Sequence, residues 1–324
     1  MDKNIDFIDI AKGVGIILVV CSHTSYALMS WASLFYIPVF FVISGYCTNR
    51  PIRIMEKLWK LIIPYILFTT IAFIFSQSFS ISDILGALYA RWRLFPDNNE
   101  NNILFLQSGN GPLWFLPSMF TSFCAFKIIQ KSKIQHKTTV FFSLYIIISY
   151  ALSSLPILLP WSWDTAFIFA LFLFEGFLLR KYNILEKITI NHFIILIIIY
   201  AIFRYFTWSV NLSIRYYGRS IFLWFAGASV GSVILIILAK KVEGTNITRI
   251  FSKIGKNSLS IFCIHWPFIT ISERVLDYID LPKDTIIYDV IHLTTILLIT
   301  YPIAFIIERL LIKPIYRMNP FKSS

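Results

Sequence analysis

Runs of about twenty apolar residues recur along the whole chain, separated by short polar segments rich in Lys and Arg. They cover approximately 7–28, 32–48, 60–79, 113–130, 138–156, 165–180, 189–208, 217–239, 257–275 and 286–312. A helix rises about 1.5 Å per residue and needs roughly twenty residues to cross a hydrocarbon core of about 30 Å. The pattern therefore predicts an all-α integral membrane protein, a bundle of about ten transmembrane helices, with the second and sixth runs the shortest. Residues 1–324 read as a single transmembrane domain with no separate soluble domain. The first run is expected to stay in place, because it is too long for a signal peptide and no small-residue cleavage site follows it. No repeat of the inverted-transporter kind stands out. Gly227-x-x-x-Gly231 predicts close helix packing.

Composition agrees: the chain is 57% hydrophobic and only 14% charged, with mean hydropathy +0.72. Soluble domains carry about 25% charged residues. The net charge of +12 would suggest nucleic acid in a polar protein, but here the placement of the cations explains it. With the N-terminus in the cytoplasm, 22 Lys and Arg fall in inner segments and 7 in outer ones, while acids divide 8 to 9. That asymmetry, confined to cations, is the positive-inside pattern, and it predicts both termini in the cytoplasm. Nine Trp and sixteen Tyr suit anchoring at the two interfaces. Cys21, Cys47, Cys124 and Cys263 lie in apolar runs with no CxxC pair and read as buried thiols, without a disulfide framework or a metal site. The longest connecting segment, 80–112, opens with an amphipathic piece from Asp83 to Arg93 that suits the membrane interface. It continues through polar, turn-rich sequence fit either for solvent or for a polar ligand.

Ionisable side chains inside apolar runs are costly and mark candidate chemistry. Lys12 and His23 in the first run are the foremost pair. In a continuous helix their spacing places both on one face, about 16 Å apart along the axis. His23 suits a general base. Lys12 can equally snorkel to the interface or pair with Asp9. Ser44-Gly45-Tyr46 ends the second run, with close backbone approach expected at the glycine. Arg50, Arg53, Lys57 and Lys60 follow; topology alone explains such a cluster, and a phosphate-binding rim is the functional reading. Trp114, between Pro112 and Pro117, is a belt anchor or a pocket wall. Asn257 and Ser258 suit a helix start, with His265 then near mid-membrane. Glu175 is a further buried acid, and His292 is the rival of His23.

Taken in order, these stretches resemble acyltransferase family 3, the bacterial membrane O-acyltransferases. The matching features are Lys12-x10-His23, Phe40-Phe-Val-Ile-Ser-Gly45-Tyr46, the basic run leading to Pro64-Tyr65, Leu113-Trp-Phe-Leu116, and Gly255-Lys-Asn-Ser258 followed by His265. Lys12 stands where many members have Arg, which is closer to the fucose-4-O-acetylase-like branch. A fused extracytoplasmic domain of the kind some relatives carry is not expected. The resemblance implies a multi-pass protein of the bacterial inner membrane. It would transfer an acetyl or other short acyl group from cytoplasmic acetyl-CoA, a co-substrate rather than a bound cofactor, to a hydroxyl of a glycan or lipid-linked sugar. His23 would be general base or acyl carrier, with Lys12 beside it. Lys12, Arg53, Lys57, Asn257 and Ser258 would serve the donor. Ser44, Tyr46, Trp114, His265 and Glu175 would line the substrate pocket. Expected partners are acetyl-CoA, the sugar acceptor, the lipid bilayer and a second copy of the chain, with no nucleic acid. Two other classes remain open: an exporter of a polysaccharide precursor, and a structural subunit of an export assembly.

Overall fold

The computed structural model describes residues 6–25, 29–76, 80–96, 111–134, 136–278, 282 and 285–321. Lys3, Lys283, Lys322 and the polar stretch 97–110 lie outside them. The helices are α1 (Asp6–Cys21), α2 (Pro38–Tyr46), α3 (Ile54–Ser76), α4 (Ile81–Tyr89), α5 (Phe115–Lys131) and α6 (Lys137–Ser153). They continue as α7 (Trp163–Lys181), α8 (Ile190–Thr207), α9 (Ile221–Lys241), α10 (Asn246–Lys256), α11 (Ser258–Tyr278) and α12 (Ile286–Ile307). Among the described residues there is no strand, only one isolated bridge between Asn211 and Tyr216.

Among the described residues, seven helical stretches are long and apolar enough to cross a membrane: Ile54–Ile74, Gly111–Lys131, Pro160–Lys181, Ile190–Thr207, Ile221–Lys241, Ser258–Tyr278 and Ile286–Arg317. The protein is therefore an integral membrane protein built of helices. The other three expected runs fold as shorter helices: α1 has 16 residues, α2 has 9 and α6 has 17. The first run is not one helix over 7–28. It stops at Cys21, and Ser22 to Ser25 form turns in which His23 N bonds Val20 O at 3.1 Å. In the second run, residues 30–37 make successive turns, and Pro38 then takes the first helical position, where no amide donor is needed.

Two pairs of glycines set the tightest crossings. A Cβ on Gly13 of α1 would meet Phe251 O of α10 at 2.0 Å, and one on Gly255 would meet Asp9 O at 1.8 Å. The same holds between α2 and α7: a Cβ on Gly45 would lie 1.9 Å from Leu173 O, and one on Gly176 would lie 1.9 Å from Val42 O. In each pair the helices touch backbone to backbone, which only residues without a side chain allow. Gly227 and Gly231 of α9 instead make room for side chains, Leu34 and Phe203 at the first and Phe35 and Tyr200 at the second.

The start of α1 is also pinned by polar contacts. Phe7 N donates to Glu243 Oε1 at 3.1 Å, and Ser252 Oγ donates to Asp6 Oδ1 at 2.5 Å. Beyond α1, the turns before α2 hang from the neighbouring helices: Trp224 Nε1 donates to Leu34 O at 3.1 Å, Tyr200 to Trp31 O, and Arg204 to Ser30 O. The amphipathic α4 shows Ile81, Ile84, Leu85 and Leu88 outward and buries Asp83, as an interfacial helix does. It is shorter than Asp83–Arg93, because Ala90 turns into the left-handed region (φ 58°) and releases Arg91 toward the interior. Cys21 and Cys263 are buried, but Cys47 is exposed because α2 ends one residue before it. All four are free thiols.

Substituting Ala at Gly13 or Gly45 must push two backbones apart. Each is expected to cost about 1–3 kcal/mol and to lower the thermal midpoint in detergent. Gly111→Ala, where a Cβ meets nothing within 4 Å, is the control and should leave the midpoint unmoved.

Candidate functional site

Two cavities lie end to end beside α1. One, of about 450 Å³, is lined by His23 and Ser22 just past α1, by Tyr36 and Trp114, and by Trp266 of α11. The other, of about 260 Å³, is lined by Lys12 and Ile16 of α1, Ser44 of α2, Met119 of α5 and Ser258 of α11. Val19, Ile37, Phe115 and Phe262 belong to both walls. The rings of Phe115 and Phe262 lie 5.1 Å apart at the junction. A single helix thus offers a cation to one cavity and an imidazole to the other.

Lys12 Nζ bonds Asp9 Oδ1 at 3.3 Å while remaining in the cavity wall. The close α1–α10 crossing at Gly13 adjoins it and fixes its height. His23 is exposed within its cavity. Its ring stands edge-on to Trp266, centroids 4.9 Å apart, and lies 5.4 Å from the ring of His265. The turn carrying it is held by Ser25, whose hydroxyl bonds Asp289 of α12. His265 is fully buried; its Nδ1 pairs with Phe262 O at 2.8 Å, and Nε2 has no hydrogen-bond partner among the described residues. His265 therefore stands behind His23 rather than in the cavity wall.

The remaining predicted residues divide. Ser44, Trp114 and Ser258 line the cavities. Tyr46 does not; its ring packs edge-on against Phe7 at 5.8 Å and faces Arg180. Asn257 lies outside both walls and stands between two helices: Nδ2 donates back to Lys253 O at 2.7 Å as α10 closes, and its carbonyl accepts from Ile261 N at 3.0 Å as α11 begins at Ser258. Arg53 is exposed ahead of α3, and Lys57 lays its ammonium 3.8 Å over the Phe123 ring. Lys57, Lys12 and Arg180 nevertheless gather within electrostatic reach of Cys47. Glu175 lies away from both walls, facing Ser229 of α9. His292 is buried on α12 beside Tyr288, neither ring nitrogen paired among the described residues. Among the described residues no group of three or more His, Cys, Asp or Glu is placed to hold a metal ion.

Sequence reasoning missed a buried ionic cluster above the His23 cavity. Asp164, at the start of α7, pairs with Arg91 and with Arg215 Nη1 at 3.0 Å, and all three side chains are almost completely inaccessible. The guanidiniums spend their other donors on backbone: Arg91 on Ser213 O at 3.0 Å and Leu159 O at 3.2 Å, Arg215 on Ile157 O at 3.1 Å and on Leu155 O. Asp164 also accepts from Leu159 N at 3.2 Å. Burial pulls the Arg91 guanidinium below its ordinary value, and the adjoining Asp164 charge opposes that. Ala90, Trp161, Ser162 and Arg215 around it all have positive φ, a conformation that side-chain-bearing residues adopt only when their surroundings impose it. The cluster binds three connecting segments into one roof. From that roof Trp92, Asn211 and Ser213 enter the cavity wall, tied by Trp92 Nε1 to Ser213 Oγ at 3.2 Å and Ser213 Oγ to Asn211 Oδ1 at 2.7 Å. The one readable signal was an aspartate directly after Trp161-Ser-Trp163 at the edge of an apolar run.

Asp164→Asn leaves two buried guanidiniums without their counter-charge. A loss of about 3–5 kcal/mol is expected, read as a large fall in thermal midpoint, whereas Glu175→Gln should shift it by much less.

Residues 5–309 match the family model of the acyltransferase domain of acyltransferase family 3. No curated protein and no solved structure matches the chain significantly. The match spans nearly the whole chain, and the protein belongs to this family of membrane acyltransferases.

Proposed function

We propose that the protein moves an acetyl or other short acyl group from cytoplasmic acetyl-CoA, through the bundle, to a hydroxyl of a cell-surface glycan or lipid-linked sugar. The observation that carries this reading is the pair of abutting cavities, with Lys12 in one wall and His23 in the other. Lys12 takes the donor side, close to the cations around Cys47 that suit a phosphate-rich head. Ser44 and Ser258 flank the thin pantetheine arm. The thioester reaches the Phe115–Phe262 junction, and the acceptor hydroxyl waits at His23.

In direct transfer, neutral His23 takes the hydroxyl proton as the oxygen attacks the thioester carbon. The C–S bond breaks, the C–O ester bond forms, and the CoA thiolate leaves and is reprotonated. In the covalent variant, His23 first receives the acyl group and then passes it to the oxygen. Acetyl-CoA is consumed as a co-substrate, and no cofactor stays bound. In this reading the ten apolar runs, three of which contain the shorter helices α1, α2 and α6, are ten passes. With the cation asymmetry they support both termini in the cytoplasm of a bacterial inner membrane. The Lys12 branch of the family and self-association of the chain belong to the same reading.

His23→Ala, expressed to wild-type level in membranes, is expected to lower acetyl-CoA-dependent labelling of glycan by about 10²–10⁴-fold. Unchanged labelling would overturn the role of His23. Lys12→Ala is expected to raise the KM for acetyl-CoA about tenfold, equivalent to roughly 1.4 kcal/mol, with a smaller change in kcat.

A further inference from the structure

We propose that the His23 cavity selects an uncharged sugar ring, with Trp266 as its stacking platform and Asn211 and Ser213 as its hydroxyl readers. The inference rests on the acceptor side assigned above and narrows it to a substrate class. Three features carry it.

Trp266 lines the cavity and stands 4.9 Å from His23, perpendicular to it. A ring stacked on that indole is held within reach of the imidazole. Tyr36, Phe115 and Trp114 complete an aromatic enclosure, which favours the C–H faces of a pyranose over extended polar chains. At about 450 Å³ the space falls within the range of small-ligand sites.

The polar groups in the wall are neutral, the His23 imidazole of the transfer reading among them. Ser22, Asn211 and Ser213 supply hydroxyl and amide groups, and no Lys, Arg, Asp or Glu lines the cavity among the described residues. The cations nearby are committed elsewhere. Arg91 and Arg215 are turned onto Asp164 and backbone carbonyls. Arg93 lies against the Trp92 ring at 3.9 Å and is not part of the wall. A carboxylate or phosphate entering here loses its water without gaining a counter-charge.

The placement of Asn211 and Ser213 is set by the bonds of their own turn together with the ionic cluster. Arg91 grips Ser213 O, and Arg215 closes the turn that pairs Asn211 with Tyr216. Selectivity is therefore built into the roof before the substrate arrives.

Binding of methyl β-glucopyranoside and methyl β-glucuronide to the purified protein in detergent tests this, followed by saturation-transfer NMR. The two probes differ only at one carbon, CH₂OH against carboxylate. The glucoside is expected to bind at least about tenfold more tightly, since the anion is left unpaired. Trp266→Ala should weaken it about fivefold to tenfold, and Trp266→Phe should keep most of the affinity. Equal or tighter binding of the glucuronide, unaltered binding in Trp266→Ala, or no binding of either probe would overturn the proposal. The transfer reading fails separately: glucoside binding as described, with no acyl transfer by wild-type membranes, sinks that reading and leaves this one standing.

Discussion

The contact on which the arrangement depends is the backbone crossing of α1 and α10 at Gly13 and Gly255. Lipid is as apolar as the side chains it surrounds, so no hydrophobic force gathers helices inside a bilayer. What remains is close packing, and it is strongest where two backbones can touch. Gly13 and Gly255 allow that contact, and Ser252 of α10 and Glu243 in the turn before it hold the adjoining turn of α1. The register of α1 is thereby fixed at its start. Lys12 adjoins the crossing, so its position in the cavity wall follows from it. The Gly45–Gly176 crossing does the same for α2, whose Ser44 faces Lys12 across the smaller cavity.

The opposite end is built on a different principle. Here α1 has ended, and His23 rides on a turn secured by Asp289, which lies far along the chain on α12. The walls come from connecting segments, and such segments have few regular backbone bonds to hold them. The Arg91–Asp164–Arg215 cluster supplies the missing constraint. Its guanidiniums satisfy carbonyls at Leu155, Ile157, Leu159 and Ser213. Charges this well buried are retained when they are paired and hydrogen-bonded. The left-handed backbone at Ala90, Trp161, Ser162 and Arg215 is the cost of aiming them inward.

The contrast between the two ends explains which features the sequence disclosed. Runs such as 217–239 and 286–312 are legible because every backbone group in lipid must bond within its own helix, and only a long apolar run achieves that. Lys12 and His23 are legible for the complementary reason, as polar exceptions in such a run. Where α1 stops is not legible, because the turn at Ser22–Ser25 depends on Asp289. The helix start at Asn257–Ser258 is legible, but the bond by which Asn257 also closes the preceding helix, back to Lys253 O, is not. Arg91 and Arg215 look like ordinary loop cations, since their shared partner Asp164 sits 73 and 51 positions away. Glu175 and Tyr46 look like pocket residues because apolar surroundings draw attention to them, yet they face neighbouring helices.

The division into two cavities also addresses a physical difficulty in the proposed reaction. The donor carries several phosphate charges, and drawing one ion into a membrane core is expensive. With Lys12 and its neighbouring cations at one end and the imidazole at the other, the charged head has no need to enter. Only the neutral pantetheine arm and the thioester pass along Ile16 and Val19. The Phe115–Phe262 pair meets them where the two cavities share walls, and aromatic rings resist ions more than they resist a slim neutral chain. On the far side the acceptor contributes only a hydroxyl, and an uncharged ring adds no ion to the enclosure. The charge that appears during transfer is then confined to the thioester oxygen, the departing sulfur and His23. A single proton passed through the imidazole settles it, without any formal charge crossing the bundle.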